Sequence, residues 1–336
     1  MTSRRRFLRL AALALAPAFA ALPARAEGTL RIAQQFGTLY TPFHVMKEKG
    51  LIEKHGKALG IDITVDWTRL SGGSAVNDAL LADTIDIASA GIGPFLTLWD
   101  KTRGTANEVK IVGAFGAQPN FLLTNNPNVK TIKDFTDKDR IAMPVAGVSV
   151  QARILQLAAE QTFGPGHAKT LDQLMVTLPH PDATAALLSG STEITGYLSN
   201  APFQNHALKD PKIRKVFSSY EIFGGPVTPT VAYAKATFRK DNPKTYKAFL
   251  DAFEEATRWV DQNRREAAEI YVKVEQSRLD PAFITEVLSD PDTQYTLVPL
   301  GTLKFADFMN RIGAIKAKPA SFRDFTFEDL HSASGS

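Results

Sequence analysis

The chain has 336 residues, 44% of them hydrophobic and 22% charged, which is length for two domains and apolar material for a full core. That balance excludes a disordered or fibrous chain. The formal net charge is +4, and the absence of cysteine excludes disulfides, thiolate metal sites, a cysteine nucleophile and an acylated cysteine anchor.

The positive charge is concentrated at one end. Residues 1–26 hold Arg4, Arg5, Arg6, Arg9 and Arg25 and no acidic residue; removing those five from 39 Lys+Arg leaves 34 against 35 Asp+Glu, a net −1 for the rest. A basic start, an apolar stretch over 10–22 and Ala24-Arg25-Ala26 form the pattern of a signal peptide cut after Ala26. About 13 apolar residues broken by Pro17 fall short of the roughly 20 that span a bilayer. Ser3-Arg4-Arg5-Arg6-Phe7-Leu8-Arg9 resembles a twin-arginine export signal, with a general secretory signal left open. The +4 is then an address, and a soluble periplasmic protein is expected.

Past that segment, residues 29–33 alternate as a strand does, 40–55 read as a helix opening near Thr41-Pro42, and 62–67 form the next strand. A Gly/Ser loop, 71–74, opens a helix running through Asp83. A short apolar strand over 85–88 and a loop over 90–94 follow, with Pro94 suited to the first turn of a helix reaching Asp100. Strand, loop and helix recur at 110–113, at 140–145 with a helix from Ser149, and at 174–178 with a helix from Asp182. This alternation predicts an α/β architecture with largely parallel sheets. After a strand at 231–234, the chain reads as helix over 243–276 and 281–288, with Phe249, Phe253, Trp259 and Tyr271 as an apolar stripe. The closing residues 331–336 read as a disordered tail.

Five segments in order carry a family resemblance: FHVMKEKGL at 43–51; LLADTIDIASAG at 80–91; IKDF at 132–135 leading to IAMPVAGVS at 141–149; DATAALLSG at 182–190 leading to Asn200-Ala201-Pro202-Phe203; and NPKTYKAFL at 242–250. In these the chain resembles the periplasmic substrate-binding proteins of ABC importers, in the group that takes nitrate, taurine, aliphatic sulfonates and thiamine precursors. One departure is Asp83-Thr84, where the family often carries glycine. The resemblance implies a two-lobed periplasmic-binding-protein fold of type II with two crossover strands. Lobe one would comprise 27–117 plus 232–330 and lobe two 118–231, with hinges near 118–121 and 228–231.

A ligand in such a fold lies between the lobes, where strand ends and helix starts converge. Ser71, Gly72, Gly73 and Ser74 offer free N–H groups and hydroxyls to an anion, with simple helix capping as the other reading. Ser149, Val150 and Gln151 do the same from the opposite lobe, and Gln151 breaks the pattern of an esterase nucleophile elbow. Gly91 and Ile92 would permit close backbone approach or merely serve a tight turn. Asn200 and Phe203, with Phe36 and Tyr40 facing them, would add an amide and aromatic walls, and Gln118 sits at the first hinge. No Lys or Arg lies in these loops; Arg69 and Arg153 are close enough in sequence to be reserves for the anion, with the solvated surface as the expected place for both.

The six histidines form no i,i+4 pair and no HExxH, and no phosphate-binding loop is present. The expected protein is therefore a receptor, not an enzyme. It would need no metal or cofactor, close on a small organic anion of sulfonate or carboxylate type, and deliver it to an inner-membrane ABC permease as a monomer that binds no nucleic acid. An exported enzyme on the same fold and a binding protein serving a sensor are the alternatives left open.

Overall fold

The computed structural model describes residues 27–336, so the export-signal reading falls outside the described residues. In chain order the elements are β1 (Thr29–Gln34), α1 (Thr41–Lys49), α2 (Leu51–Ala58), β2 (Thr64–Arg69), α3 (Gly73–Leu81), β3 (Ala88–Gly91), α4 (Ile92–Thr102) and β4 (Val109–Ala114). The chain then crosses to β5 (Phe121–Thr124), β6 (Arg140–Met143), α5 (Val150–Phe163), β7 (Met175–Thr177), α6 (His180–Ser189), β8 (Ile194–Leu198), α7 (Phe203–Ala207), β9 (Arg214–Ser218) and α8 (Ser219–Phe223). It returns through β10 (Thr230–Lys235), α9 (Ala236–Asp241), α10 (Pro243–Gln262), α11 (Arg264–Glu275), α12 (Pro281–Leu288) and α13 (Thr302–Arg311). Among the described residues no helix is long and apolar enough to cross a membrane.

The strands form two layers of one design. In the second layer the order is β7-β6-β8-β5-β9, with β6 parallel to β7 and β8 and β5 antiparallel to both of its neighbours. In the first, β1 pairs in parallel with β2, and β10 lies antiparallel between β3 and β4. A parallel bridge between Ile32 and Ile87 joins those two sheets into one layer. Each layer thus runs second, first, third, crossing strand, fourth. The crossing strand is antiparallel because it enters from the other layer, which is where the largely parallel expectation gives way to mixed sheets.

Each layer needs helices to cover its apolar faces. Phe43 of α1 is fully buried and packs by ring edges against Trp67, Phe115, Phe249 and Phe253, at centroid separations of 5.5, 4.6, 5.8 and 5.2 Å. On α10 the buried set Thr245, Tyr246, Phe249, Ala252, Phe253, Ala256 and Val260 repeats at helical spacing, whereas Trp259 lies off that stripe, half-buried beneath the Lys49 ammonium. A further apolar cluster runs without a break from Ile92, Phe95 and Leu96 of α4 to Val150, Ile154 and Leu155 of α5 and on to Phe305 and Met309 of α13. The two layers are therefore in direct contact.

Three local departures have physical causes. The helix expected over 40–55 breaks at Gly50, which takes the left-handed conformation (φ 59°). The one expected over 243–276 breaks at Asn263, whose side-chain amide donates to Trp259 O and so competes with the helical backbone. Asp83, where glycine was the expected residue, also sits in the left-handed region (φ 55°); its carbonyl accepts from Arg31 and its carboxylate pairs with Lys235 at 2.9 Å, which offsets the strain. The last residues, read as a disordered tail, lie against the start of α13, where Ser336 O accepts from both the N–H and the hydroxyl of Thr302 at 2.8 Å.

Candidate functional site

Four helix N-termini, two from each layer, converge on one cavity. It is lined by Gly73 at the start of α3, Gly91 and Pro94 at the start of α4, Ser149, Val150 and Gln151 at the start of α5, and His180 at the start of α6. Gln35, Phe36, Tyr40 and Thr230 complete the first wall, and Pro144 and Asn200 the second. No lining side chain carries a fixed charge. Aligned peptide dipoles with unpaired N–H groups make such a meeting of helix starts favourable to negative charge without any cation. Larger hollows, of about 740 Å³ near Asn125 and Arg214 and about 380 Å³ near Tyr295 and Asp261, are each lined by one part of the chain alone.

Of the residues singled out from sequence, Phe36, Tyr40, Gly73, Gly91, Ser149, Val150, Gln151 and Asn200 meet at this cavity. The others do not line it. Ser71 and Ser74 are exposed to solvent. Gly72 faces Val145 of the other layer, close enough that a Cβ would stand 2.7 Å from a Val145 methyl. Ile92 is in the apolar core, and the loop expected at 90–94 is instead the end of β3 running directly into α4, held by pairing of Ala90 and Gly91 with Val231 and Thr230. Gln118 is buried in the first crossover, where its amide donates to Thr38 Oγ1 at 3.2 Å and to Thr293 Oγ1 at 3.0 Å. Phe203 stands behind the wall, stacked on His180 with ring centroids 5.6 Å apart.

Of the two arginines assigned to solvent, Arg153 has another position, whereas Arg69 is exposed as expected. Arg153 is buried: its guanidinium donates to Gln156 Oε1 at 2.8 Å, and that amide reaches Asp172 at 3.0 Å. Arg69 lies over the Phe36 ring, 4.8 Å from its centroid, and pairs with Glu275. The burial of Arg153 and the stacking of Arg69 could not be read from local sequence, because both depend on elements distant along the chain.

The polar lining is neutral by construction. Burial pushes the Tyr40 phenol above its usual range, so it remains a neutral donor. Burial also lowers the His180 imidazole to about 3. His180 accepts from the Gln151 amide at Nε2 (3.4 Å) and bonds Tyr197 Oη through Nδ1 at 2.6 Å, and Tyr197 in turn donates to the His180 carbonyl at 3.3 Å. Sequence reasoning missed His180, since a histidine at an ordinary helix start carries no motif. Among the described residues no group of three or more His, Cys, Asp or Glu could hold a metal ion.

A histidine held neutral when folded and free to protonate when unfolded adds stability that is full above about pH 6.5 and is lost as pH falls towards 3, at about 1.4 kcal/mol per pH unit. Between pH 7 and pH 5 this one group is expected to remove about 2 kcal/mol. Urea unfolding of the wild type and of His180→Gln at the two pH values checks it: the variant loses that part of the pH dependence, and identical slopes would refute the assignment.

The cavity measures about 30 Å³, room for one or two waters, because the layers close directly on one another around it. A Cβ on Gly91 would lie 3.0 Å from Val150 Cβ, and one on Gly93 would lie 3.2 Å from Val148 O. Backbone joins them as well, Thr38 N donating to Ala201 O at 2.9 Å. Glycines read as room for a ligand are thus largely room for the opposite lobe.

Comparison with known proteins agrees with this architecture. The model of the NMT1-like family matches residues 25–274. An aliphatic sulfonates-binding protein by name from Bacillus subtilis (strain 168) is 26% identical over 289 residues, covering 83% of this chain and 80% of that one. Among solved structures, the alkanesulfonate-binding protein of Xanthomonas axonopodis pv. citri bound to MOPS superposes with a TM-score of 0.68 at 17% identity, over 87% of this chain and 96% of that one. The periplasmic nitrate-binding protein of Synechocystis PCC 6803 gives 0.71 at 18% identity, over 91% and 88%. These likenesses show the fold, that of the two-lobed periplasmic binding proteins.

Proposed function

The chain belongs to the NMT1-like family, and from that premise we propose that it is the solute receptor of an ABC importer, working in the periplasm. In this reading lobe one comprises 27–117 and 232–330, lobe two comprises 118–231, and the hinges lie near 118–121 and 228–231. A small organic anion of sulfonate or carboxylate type enters when the lobes part, is enclosed when they close, and is handed to a membrane permease by the closed monomer. No bond is made or broken.

The observation that carries the proposal is the convergence of four helix N-termini from both lobes on a cavity without a charged side chain. An anion there completes hydrogen bonds from both sides only in the closed form, so binding and closure are one equilibrium. The neutral lining favours an organic acid, whose remaining surface meets Phe36 and Tyr40, over a bare inorganic ion. Thermal unfolding across a panel of short sulfonates, carboxylates, nitrate and pyrimidines provides the test. At a hundredfold excess over Kd the right ligand stabilises by about 2.7 kcal/mol, a rise in Tm of roughly 5 °C. No shift with any sulfonate or carboxylate would reject the reading.

A further inference from the structure

Asn200 is held in one orientation by the lobe opposite its own. Its Nδ2 donates to the carbonyl of Phe36 at 3.1 Å, so the amide cannot be turned over without placing oxygen against oxygen. The close approach depends on Gly37, where a Cβ would stand 2.6 Å from Asn200 Nδ2. The other end of the amide is then committed: Oδ1 is an acceptor, it is buried, and it has no partner, although Asn200 lines the cavity. Gln35, which also lines the cavity, shows the complement, a buried Nε2 donor without a partner. A buried polar atom left unpaired opposes closure, so closure is favoured most by a ligand that supplies what each atom lacks.

We infer that Asn200 is a specificity-determining residue that requires the ligand to carry an O–H or N–H donor beside its acidic group. This rests on the reading of the protein as an organic-anion receptor and narrows its substrate class to hydroxy- or amino-substituted acids. One amide performs two tasks, with Oδ1 taking the ligand's hydrogen while Nδ2 ties lobe two to lobe one. A simple alkane acid leaves Oδ1 unpaired in the closed form and is rejected for that reason, as sites built to hydrogen-bond a hydroxyl reject the analogue that lacks it.

Calorimetric titration with two matched pairs tests this: 2-hydroxyethanesulfonate against ethanesulfonate, and glycolate against acetate. The wild type is expected to bind the hydroxylated member of a pair at least tenfold more tightly. Asn200→Ala, which weakens closure for both members alike, is expected to bring that ratio to about one. A wild-type ratio near one overturns the inference and leaves the receptor reading standing, as does a preference that survives in Asn200→Ala. If the variant does not fold, the wild-type ratio alone decides. Absence of binding by all four compounds overturns the inference together with the organic-anion reading.

Discussion

Gly116→Ala is expected to lose about 4 kcal/mol or more of folding stability. Gly116 lies in the first crossover with φ 115°, a conformation that side-chain-bearing residues rarely adopt. A Cβ there would stand 1.8 Å from the carbonyl oxygen of Gln294 and 2.9 Å from its carbon. Backbone cannot give way as a side-chain tip can. Relief would require breaking the two-way pairing of Ala117 with Gln294, at 2.9 and 2.8 Å, which ties the crossover to the C-terminal part of the chain. Strain of about 1–3 kcal/mol combines with two buried hydrogen bonds worth about 1 kcal/mol each, and the methyl needs space that is not there. Urea unfolding measures the loss; a change below about 1 kcal/mol would show that the crossover is soft at this point.

The second large effect concerns binding and not folding. Gly91→Val is expected to weaken ligand affinity by roughly a hundredfold while shifting the midpoint of unfolding by only a few degrees. The three atoms nearest a Cβ at position 91 all belong to Val150, at 3.0, 3.1 and 3.4 Å, and Val150 is on the other lobe. The backbone of Gly91 (φ −59°, ψ 151°) suits valine, so the substitution is not strained within its own lobe. The clash exists only when the lobes meet, so the added methyls act as a wedge against the closed form. About 2.7 kcal/mol of differential cost corresponds to that hundredfold loss. Calorimetry, with small-angle scattering before and after ligand addition, reads affinity and compaction together. Wild-type affinity in Gly91→Val would remove the glycine seam from the closing mechanism.

Much of the fold was legible because it rests on local signals. The strand near 29–33 announced itself by alternation, the one near 62–67 by its place in the strand–helix order, and the helix from Ser149 begins at a serine that accepts from Ala152 N–H at 3.2 Å. Helix breaks were harder, since Gly50 and Asn263 interrupt runs whose apolar spacing continues on both sides. Eight of the fourteen residues proposed for the site line the cavity; of the six that miss it, Ser71 and Ser74 face solvent, Phe203 stands behind the wall, and the other three share one reason. Loops were judged by what their residues could offer a ligand, whereas Gly72, Ile92 and Gln118 are occupied by contacts with residues far along the chain.

What sequence alone determined was the alternating α/β order, the location of the positive charge before residue 27, and a set of neutral helix starts in place of basic loops. These follow from periodicity, composition and capping, all readable within a few residues. The tertiary structure alone decided that four of those starts face one point, that Arg153 is buried and Arg69 is stacked on Phe36, that His180 is kept neutral, and that Asn200 is latched to Phe36 with an acceptor to spare. The placing of Arg69, Arg153 and His180 depends on distant stretches of chain folding into one lobe, and the meeting of helix starts and the Asn200 latch depend on the two lobes coming together. Local sequence sets what a residue can donate or accept; only the packing of the lobes sets what remains free to bind.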